Sequence, residues 1–344
     1  MVKLAVDLGS SMTKIYRADT GNGIVLAEPS CVAVVGEGAI DDREVKAVGK
    51  EAKNLIGKTA VFTGIVQPVY EGEISNMRLA ALMLKEFFTR IGLKKGALRR
   101  AEVLFTVPCG AQRKTLSDYA MLAEECGLNL RKVYFVEQPY LAALGGGAVL
   151  SDSEPVFCLD IGGGVSNVAV VSADGIIAGL SMNIGGSNMD ANIIQKIARV
   201  NHLDVGALTA EKIKNEICSL SPNARGSMVA QGSSTDQRRP ASAAVQANVL
   251  SECIRVYVDK VIEYACATLR KLPAEVAATV NRNGVFLSGG IMKIPYVPQY
   301  IGAKLEMRYR VCEEPQFASV LGGGALIRNK ELLRKFAKMG VDFV

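Results

Sequence analysis

Apolar residues alternate with glycine-rich turns in a pattern that occurs twice along the chain. KLAVDLGSSMTKIYRADTGNGIVLAEPS runs from Lys3 to Ser30, and VFCLDIGGGVSNVAVVSADGIIAGLSM from Val156 to Met182. Each is an apolar strand ending in Asp, then a Gly/Ser loop, a β-rich run, a turn and another apolar strand. The turn begins 13 residues after Asp7 (Thr20-Gly21) and 14 after Asp160 (Asp174-Gly175). Asp-Gly between apolar runs predicts a hairpin. Two copies imply two similar halves facing each other across a cleft. Between them, 76–91 shows helical spacing of apolar positions. EVLFTVP is a buried strand stopped by Pro108, followed by a helix to about Cys126 that Gly127 ends. KVYFVEQP is a strand and YLAALGGG a short helix. Residues 187–200, 209–220 and 246–271 are helical, the last closed by Pro273. GVFLSGG is a strand entering a Gly turn. The polar, Gly/Ser/Pro-rich stretch 222–243 predicts loops or edge hairpins. The fold class is therefore α/β, with two duplicated domains.

The chain has 344 residues, room for about two domains of ~150 residues. No apolar run reaches the roughly 18–20 residues that span a bilayer, and MVKLAVDLGSS lacks a signal-peptide core, so a cytoplasmic location is expected. The eight cysteines are scattered, with no C-x-x-C spacing, and read as small buried hydrophobes. His202 is the single histidine, which argues against Ser-His-Asp catalysis. It sits at an expected helix end, in a structural role. The net charge of +6 is mild. It favours an anionic surface such as a membrane's inner leaflet rather than requiring nucleic acid.

Strands that end in glycine turns bring backbone N–H groups close to an anion, and Ser10, Ser11, Thr13 and Ser166 add hydroxyls. Asp7 and Asp160 each stand just before such a turn. A carboxylate beside a triphosphate is repelled unless hydrated Mg²⁺ lies between them, so one aspartate per half predicts a shared metal site. LSGG at Leu287–Gly290 is a third loop of this kind. The runs Gly145–Gly147 and Gly322–Gly324 read as helix stops and close-packing points.

DLGSSMTK, LDIGGGVSNVAVV and GVFLSGGIMKIP resemble the two phosphate loops and the adenosine loop of the actin, heat-shock chaperone and sugar kinase superfamily. Within it, GIVLAEPS, AVGKEAKNLIGKT, VPCGAQRKTL, VEQPYLAALGGG, TAEKIKNEI and LPAEVAATV resemble the MreB/Mbl family of bacterial actin-like rod shape-determining proteins, in order and over almost the whole chain. The resemblance implies an actin-like ATPase fold: 1–145 plus 322–344 as one domain with a small insert at 32–74, and 146–321 as the other with an insert at 183–249. It implies ATP and Mg²⁺ as cofactors. Phosphate contacts would come from Ser10, Ser11, Met12, Lys14, Gly162, Gly163 and Gly164. Glu211 and Lys214, with Lys212 and Ile213 between them, would grip the adenosine. Gly289, Gly290, Ile291 and Met292 would line its floor. Asp7 and Asp160 would bind the metal through water, and Gln138 would place the attacking water.

Three places depart from the family pattern. Gln138 replaces the usual Glu, and Gln is a very poor base. Val165-Ser166-Asn167 replaces Thr-Thr-Glu, and Lys14 replaces an apolar residue. The implied function is a self-assembling filament ATPase with slow hydrolysis that organises cell shape and cell-wall synthesis. A monomeric superfamily ATPase or kinase, or a nucleotide-gated scaffold with little turnover, stays open beside it. Self is the expected partner. The inner-membrane surface and cell-wall synthesis proteins are further candidates; no nucleic acid is expected. In RIGLKKGALRR (90–100), Ile91, Leu93 and Leu98 stand among five basic residues, a pattern expected either of a lipid-touching loop or of a solvated basic loop. NKELLRKFAKMGVDFV reads as a basic amphipathic helix docking Leu332, Leu333 and Phe336 on its own domain.

Overall fold

The computed structural model describes residues 1–21, 23–57, 63–151 and 153–344. The expected insert 32–74 therefore includes residues, Lys58 and Thr59 among them, that lie outside the described ones. So does Asn22, beside the first expected turn.

The first half contains β1 (Lys3–Leu8), β2 (Met12–Arg17), β3 (Gly23–Pro29), β4 (Val32–Val35), β5 (Glu44–Val48) and α1 (Lys50–Asn54). They are followed by β6 (Thr63–Val66), the short ribbon β7 (Val69–Tyr70) and β8 (Glu73–Ile74), α2 (Met77–Arg90), α3 (Lys95–Leu98), β9 (Glu102–Val107), α4 (Arg113–Glu125), β10 (Val133–Glu137) and α5 (Gln138–Gly145). The second half contains β11 (Val156–Ile161), β12 (Ser166–Ser172), β13 (Gly175–Met182), α6 (Gly186–Asn201), β14 (Leu203–Asp204), α7 (Ala207–Ile217), β15 (Ser227–Ser234), β16 (Pro240–Gln246) and α8 (Ala247–Leu269). It continues through α9 (Ala274–Asn283), β17 (Val285–Ser288), α10 (Val297–Leu305) and β18 (Tyr309–Val311). The chain closes with α11 (Ala318–Leu326), α12 (Lys330–Phe336) and β19 (Lys338–Met339).

The duplication is visible strand by strand. One sheet runs β3-β2-β1-β9-β10 with β19 added at its edge; the other runs β13-β12-β11-β17-β18. In both, the central strand pairs antiparallel with the hairpin that follows it and parallel with a later strand. The strands that feed these turns are buried nearly throughout. This explains why they read as continuous apolar runs rather than as alternation. Two smaller antiparallel sheets, β5-β4-β6 and β14-β15-β16, flank them. The polar stretch 222–243 falls within the latter as the hairpin β15–β16, Ser227 opposite Gln246.

Each half has its own core, the first built on Phe87, Phe105 and Tyr119 and the second on Phe157, Ile193 and Ile254. A third cluster joins them, with Ala5 and Leu104 from the first sheet meeting Ala169 and Val171 from the second, around Leu141 of α5 and Val320 of α11. These two helices carry the chain from one half to the other and back. They cross at glycines: a Cβ on Gly145 would lie 2.0 Å from the Ala318 carbonyl, and one on Gly322 would lie 2.0 Å from that of Leu141. The close-packing reading of these runs holds, and Gly147, at φ +79°, ends α5.

The C-terminal helix docks the expected side chains, but it ends at Phe336; Lys338–Met339 form β19 and Gly340–Phe343 a 3-10 turn instead of continuing it. Leu333 is buried, and Leu332 and Phe336 pack beside it. Phe336 stacks on Tyr140, 4.5 Å between centroids. His202 caps α6 in the left-handed conformation, φ 50°. All eight cysteines are free, seven buried and Cys266 half-buried. Among the described residues, no helix is long and apolar enough to cross a membrane.

The lipid-touching reading of 90–100 is corrected. Leu93 and Leu98 are each 6% exposed within the first core, and Ile91 packs against it. The four-residue α3 rolls Leu98 inward, leaving only the basic heads outside. Arg90 is itself paired with Glu86, Glu51 and Glu28.

Candidate functional site

The glycine turns of the two halves close with the same backbone hydrogen bond. Gly9 N–H donates to the Met12 carbonyl at 3.2 Å, and Gly162 N–H to the Val165 carbonyl at 2.9 Å. The two loops are pressed together. A Cβ on Gly163 would lie 2.5 Å from Ser11 Cβ, and one on Gly164 would lie 2.7 Å from Ser10 Oγ. Only glycine allows this approach, which leaves the backbone of both turns facing one cavity of about 500 Å³. That volume is in the range of a small-ligand site.

The acidic residues repeat as well. Asp7 lies opposite Lys14 in the β1–β2 register, and Asp160 opposite Asn167 in β11–β12. Asp7 accepts from Lys14 Nζ at 2.7 Å and from Thr106 Oγ1 at 2.7 Å. Asp160 accepts from Asn167 Nδ2 at 3.2 Å and from Ser288 Oγ at 2.9 Å. Each aspartate therefore has one partner across the hairpin and one hydroxyl from the adjoining parallel strand. The difference is charge, since Lys14 is an ammonium and Asn167 is neutral. Burial raises the Asp160 pKa above the ordinary carboxylate range; the Ser288 hydrogen bond opposes this and the nearby Asp7 charge adds to it.

Gln138, first residue of α5, joins the two sets. Its Nε2 donates to Asp7 Oδ1 at 3.3 Å, and its Oε1 accepts from Asn167 Nδ2 at 3.0 Å. Asp7, Gln138, Asn167 and Asp160 thus form one hydrogen-bonded chain across the floor of the cleft.

Asp7, Ser10, Ser11, Met12, Lys14, Gln138, Asp160, Gly162, Gly163, Gly164, Glu211, Lys214, Gly289, Gly290 and Ile291 all line the cavity. Lys212, Ile213 and Met292 do not. Ile213 and Met292 are buried in the second core, and Lys212 faces outward beside Glu216. The cause is helical spacing: on α7, Glu211, Lys214 and Asn215 share the cleft face. Lys214 is held by Asp190 at 2.7 Å and by the Gly186 carbonyl at 3.2 Å. Glu211 reaches over the cleft to Lys53 of α1 at 2.6 Å.

Sequence reasoning misses Thr106 and Ser288. Each is the lone hydroxyl near the end of an otherwise apolar strand, EVLFTV and VFLS, and that pattern is the available signal. Pro315, Gln316 and Phe317 also line the cavity and carry no motif.

Comparison with known proteins decides the family. The family model described as MreB/Mbl protein matches residues 1–335. The chain belongs to the MreB/Mbl family. It is 30% identical over 331 residues to the cell shape-determining protein MreB of Escherichia coli strain K12, covering 93% of this chain and 92% of that one. It is 28% identical over 333 residues to the cell shape-determining protein Mbl of Bacillus subtilis strain 168, covering 96% and 97%. Among solved structures it is similar to MreB5 of Spiroplasma citri bound to AMPPNP, at TM-score 0.88 and 25% identity, with 97% of both chains covered. The fold is actin-like, as the sequence implied.

Proposed function

We propose that this MreB/Mbl protein binds Mg-ATP in the cleft and assembles into filaments that organise cell shape and cell-wall synthesis, with slow hydrolysis coupled to assembly. The observation that carries the reading is the pair of matched glycine turns, each behind a carboxylate, facing each other in one cavity. The AMPPNP bound to the similar S. citri MreB5 adds support. The halves would be 1–145 with 322–344, and 146–321.

The turns present backbone N–H groups and the Ser10 and Ser11 hydroxyls, a donor set suited to phosphate oxygens. Magnesium, a hard cation that prefers oxygen ligands and retained water, fits a pair of carboxylates of which only Asp7, among the described residues, is ion-paired, to Lys14. Bound there, it would screen the carboxylates from the triphosphate. Asp7 and Asp160 would hold its water shell, with Lys14 turning from Asp7 toward phosphate. Glu211 and Lys214 would hold the nucleoside, and Gln138 would hold a water. Gln138 can donate and accept but cannot take the proton, so turnover is slow.

That same residue favours a second reading, a nucleotide-gated scaffold with almost no hydrolysis. The basic heads left outside in 90–100 suit contact with anionic lipid by charge alone.

Sedimentation and electron microscopy with Mg-ATP, run beside phosphate release, test the proposal. Nucleotide-dependent polymer with slow release is expected. Polymer without release selects the scaffold. A protein that stays monomeric and binds no nucleotide rejects the proposal.

A further inference from the structure

Asn167 occupies the place in its half that Lys14 occupies in the other, yet it makes a different set of contacts. Its Oδ1 accepts from the Cys109 N–H at 3.0 Å, a group that can only donate. Its Nδ2 faces Asp160 Oδ2 at 3.2 Å. The Cys109 N–H by itself fixes the sense of the Asn167 amide. Nδ2 must then donate to whatever Gln138 turns toward it, so that atom is Oε1 at 3.0 Å. Gln138 Nε2 is left pointing at Asp7 Oδ1. Both amides are thereby oriented from one backbone N–H that can only donate. Asn167 is fully buried, and Cys109 and Gln138 come from the other half.

We propose that Asn167 is the positioning residue that sets the direction of the Gln138 amide across the seam between the halves. It holds Oε1 toward the second half and Nε2 toward Asp7. The proposal rests on the nucleotide reading above. Gln138 keeps one Oε1 lone pair for a proton of the attacking water, but the amide cannot invert. A lysine at this position could not do this, because an ammonium accepts nothing and would leave the Cys109 N–H unpaired.

The test uses the full chain with Asn167→Leu, alone and combined with Gln138→Ala. Mg-ATP affinity, single-turnover phosphate release and thermal unfolding are measured at neutral pH. Asn167→Leu should slow release about tenfold or more while affinity changes less than about threefold, and should add nothing in the Gln138→Ala background. Additive losses or an unchanged rate would overturn the proposal. If the parent releases no phosphate, the hydrolysis reading fails separately. Thermal unfolding of the same proteins then decides, with non-additive shifts supporting the positioning role and additive ones rejecting it.

Discussion

Asp160 is a carboxylate that the fold makes difficult to ionise. It is 8% exposed, and burial raises its pKa. A raised native pKa means that the native state binds the proton more tightly than the unfolded state does. The charge therefore destabilises the empty protein at neutral pH, and this cost is relieved as pH falls through the raised pKa. Asp160→Asn should melt at a higher temperature than the parent without nucleotide, because the Ser288 hydroxyl can rotate to accept. It should lose most Mg-dependent nucleotide affinity, and the two measurements together check the assignment. In the parent, that affinity should fall on acidification sooner than an ordinary carboxylate would allow. Gly163→Ala is the second prediction at this scale. Its Cβ would meet Ser11 at 2.5 Å, so the halves must separate, at a cost of about 1–3 kcal/mol and with weaker nucleotide binding in titration.

Asp7 and Asp160 were legible because a charged residue closing an apolar strand stands out. Thr106 and Ser288 were not, since a hydroxyl in a strand is commonplace. Lys212, Ile213 and Met292 were assigned with their stretches as wholes, whereas a helix shows a cleft only every third or fourth residue.

At the scale of elements, strands and hairpins followed their signals closely. Asp174-Gly175 opens β13 with Gly175 at φ 121°, where a side chain would be strained. The segment 90–100 met the second of its two expectations, a solvated basic connection between a helix and a strand, and not the lipid-touching one. Composition marked it as amphipathic, but a single turn of helix decides which way a side chain points, and α3 is too short to show periodicity. Leu93 and Leu98 belong to the core. Leu98→Ala should cost about 2–5 kcal/mol in denaturant unfolding and leave any sedimentation with anionic vesicles unchanged. Replacing Lys94, Lys95, Arg99 and Arg100 by Gln should reduce that sedimentation, and added salt should do the same.

For the whole molecule, the duplication was the strongest signal in the sequence, and it reappears as two sheets with one strand order. How the halves meet was not legible, because the third cluster draws on residues far apart in the chain that carry no shared pattern. Lys53 and Glu211 face each other across the cleft at 2.6 Å, each about one-third exposed. Such a pair contributes at most ~1 kcal/mol, enough to alter opening but not folding. Lys53→Ala should speed release of a bound fluorescent nucleotide several-fold with little change in melting temperature.

The crossing of α5 and α11 sets what kind of opening is available. Backbone lies against backbone at Gly145 and Gly322, with Leu141 and Val320 packed beside them in the cluster that joins the halves, and both passages of the chain from one half to the other run through that contact. Any change in the angle between the lobes must therefore be taken up at this crossing. A methyl group at either glycine would wedge the two helices apart and tilt one lobe against the other, although the glycine turns themselves would be unaltered.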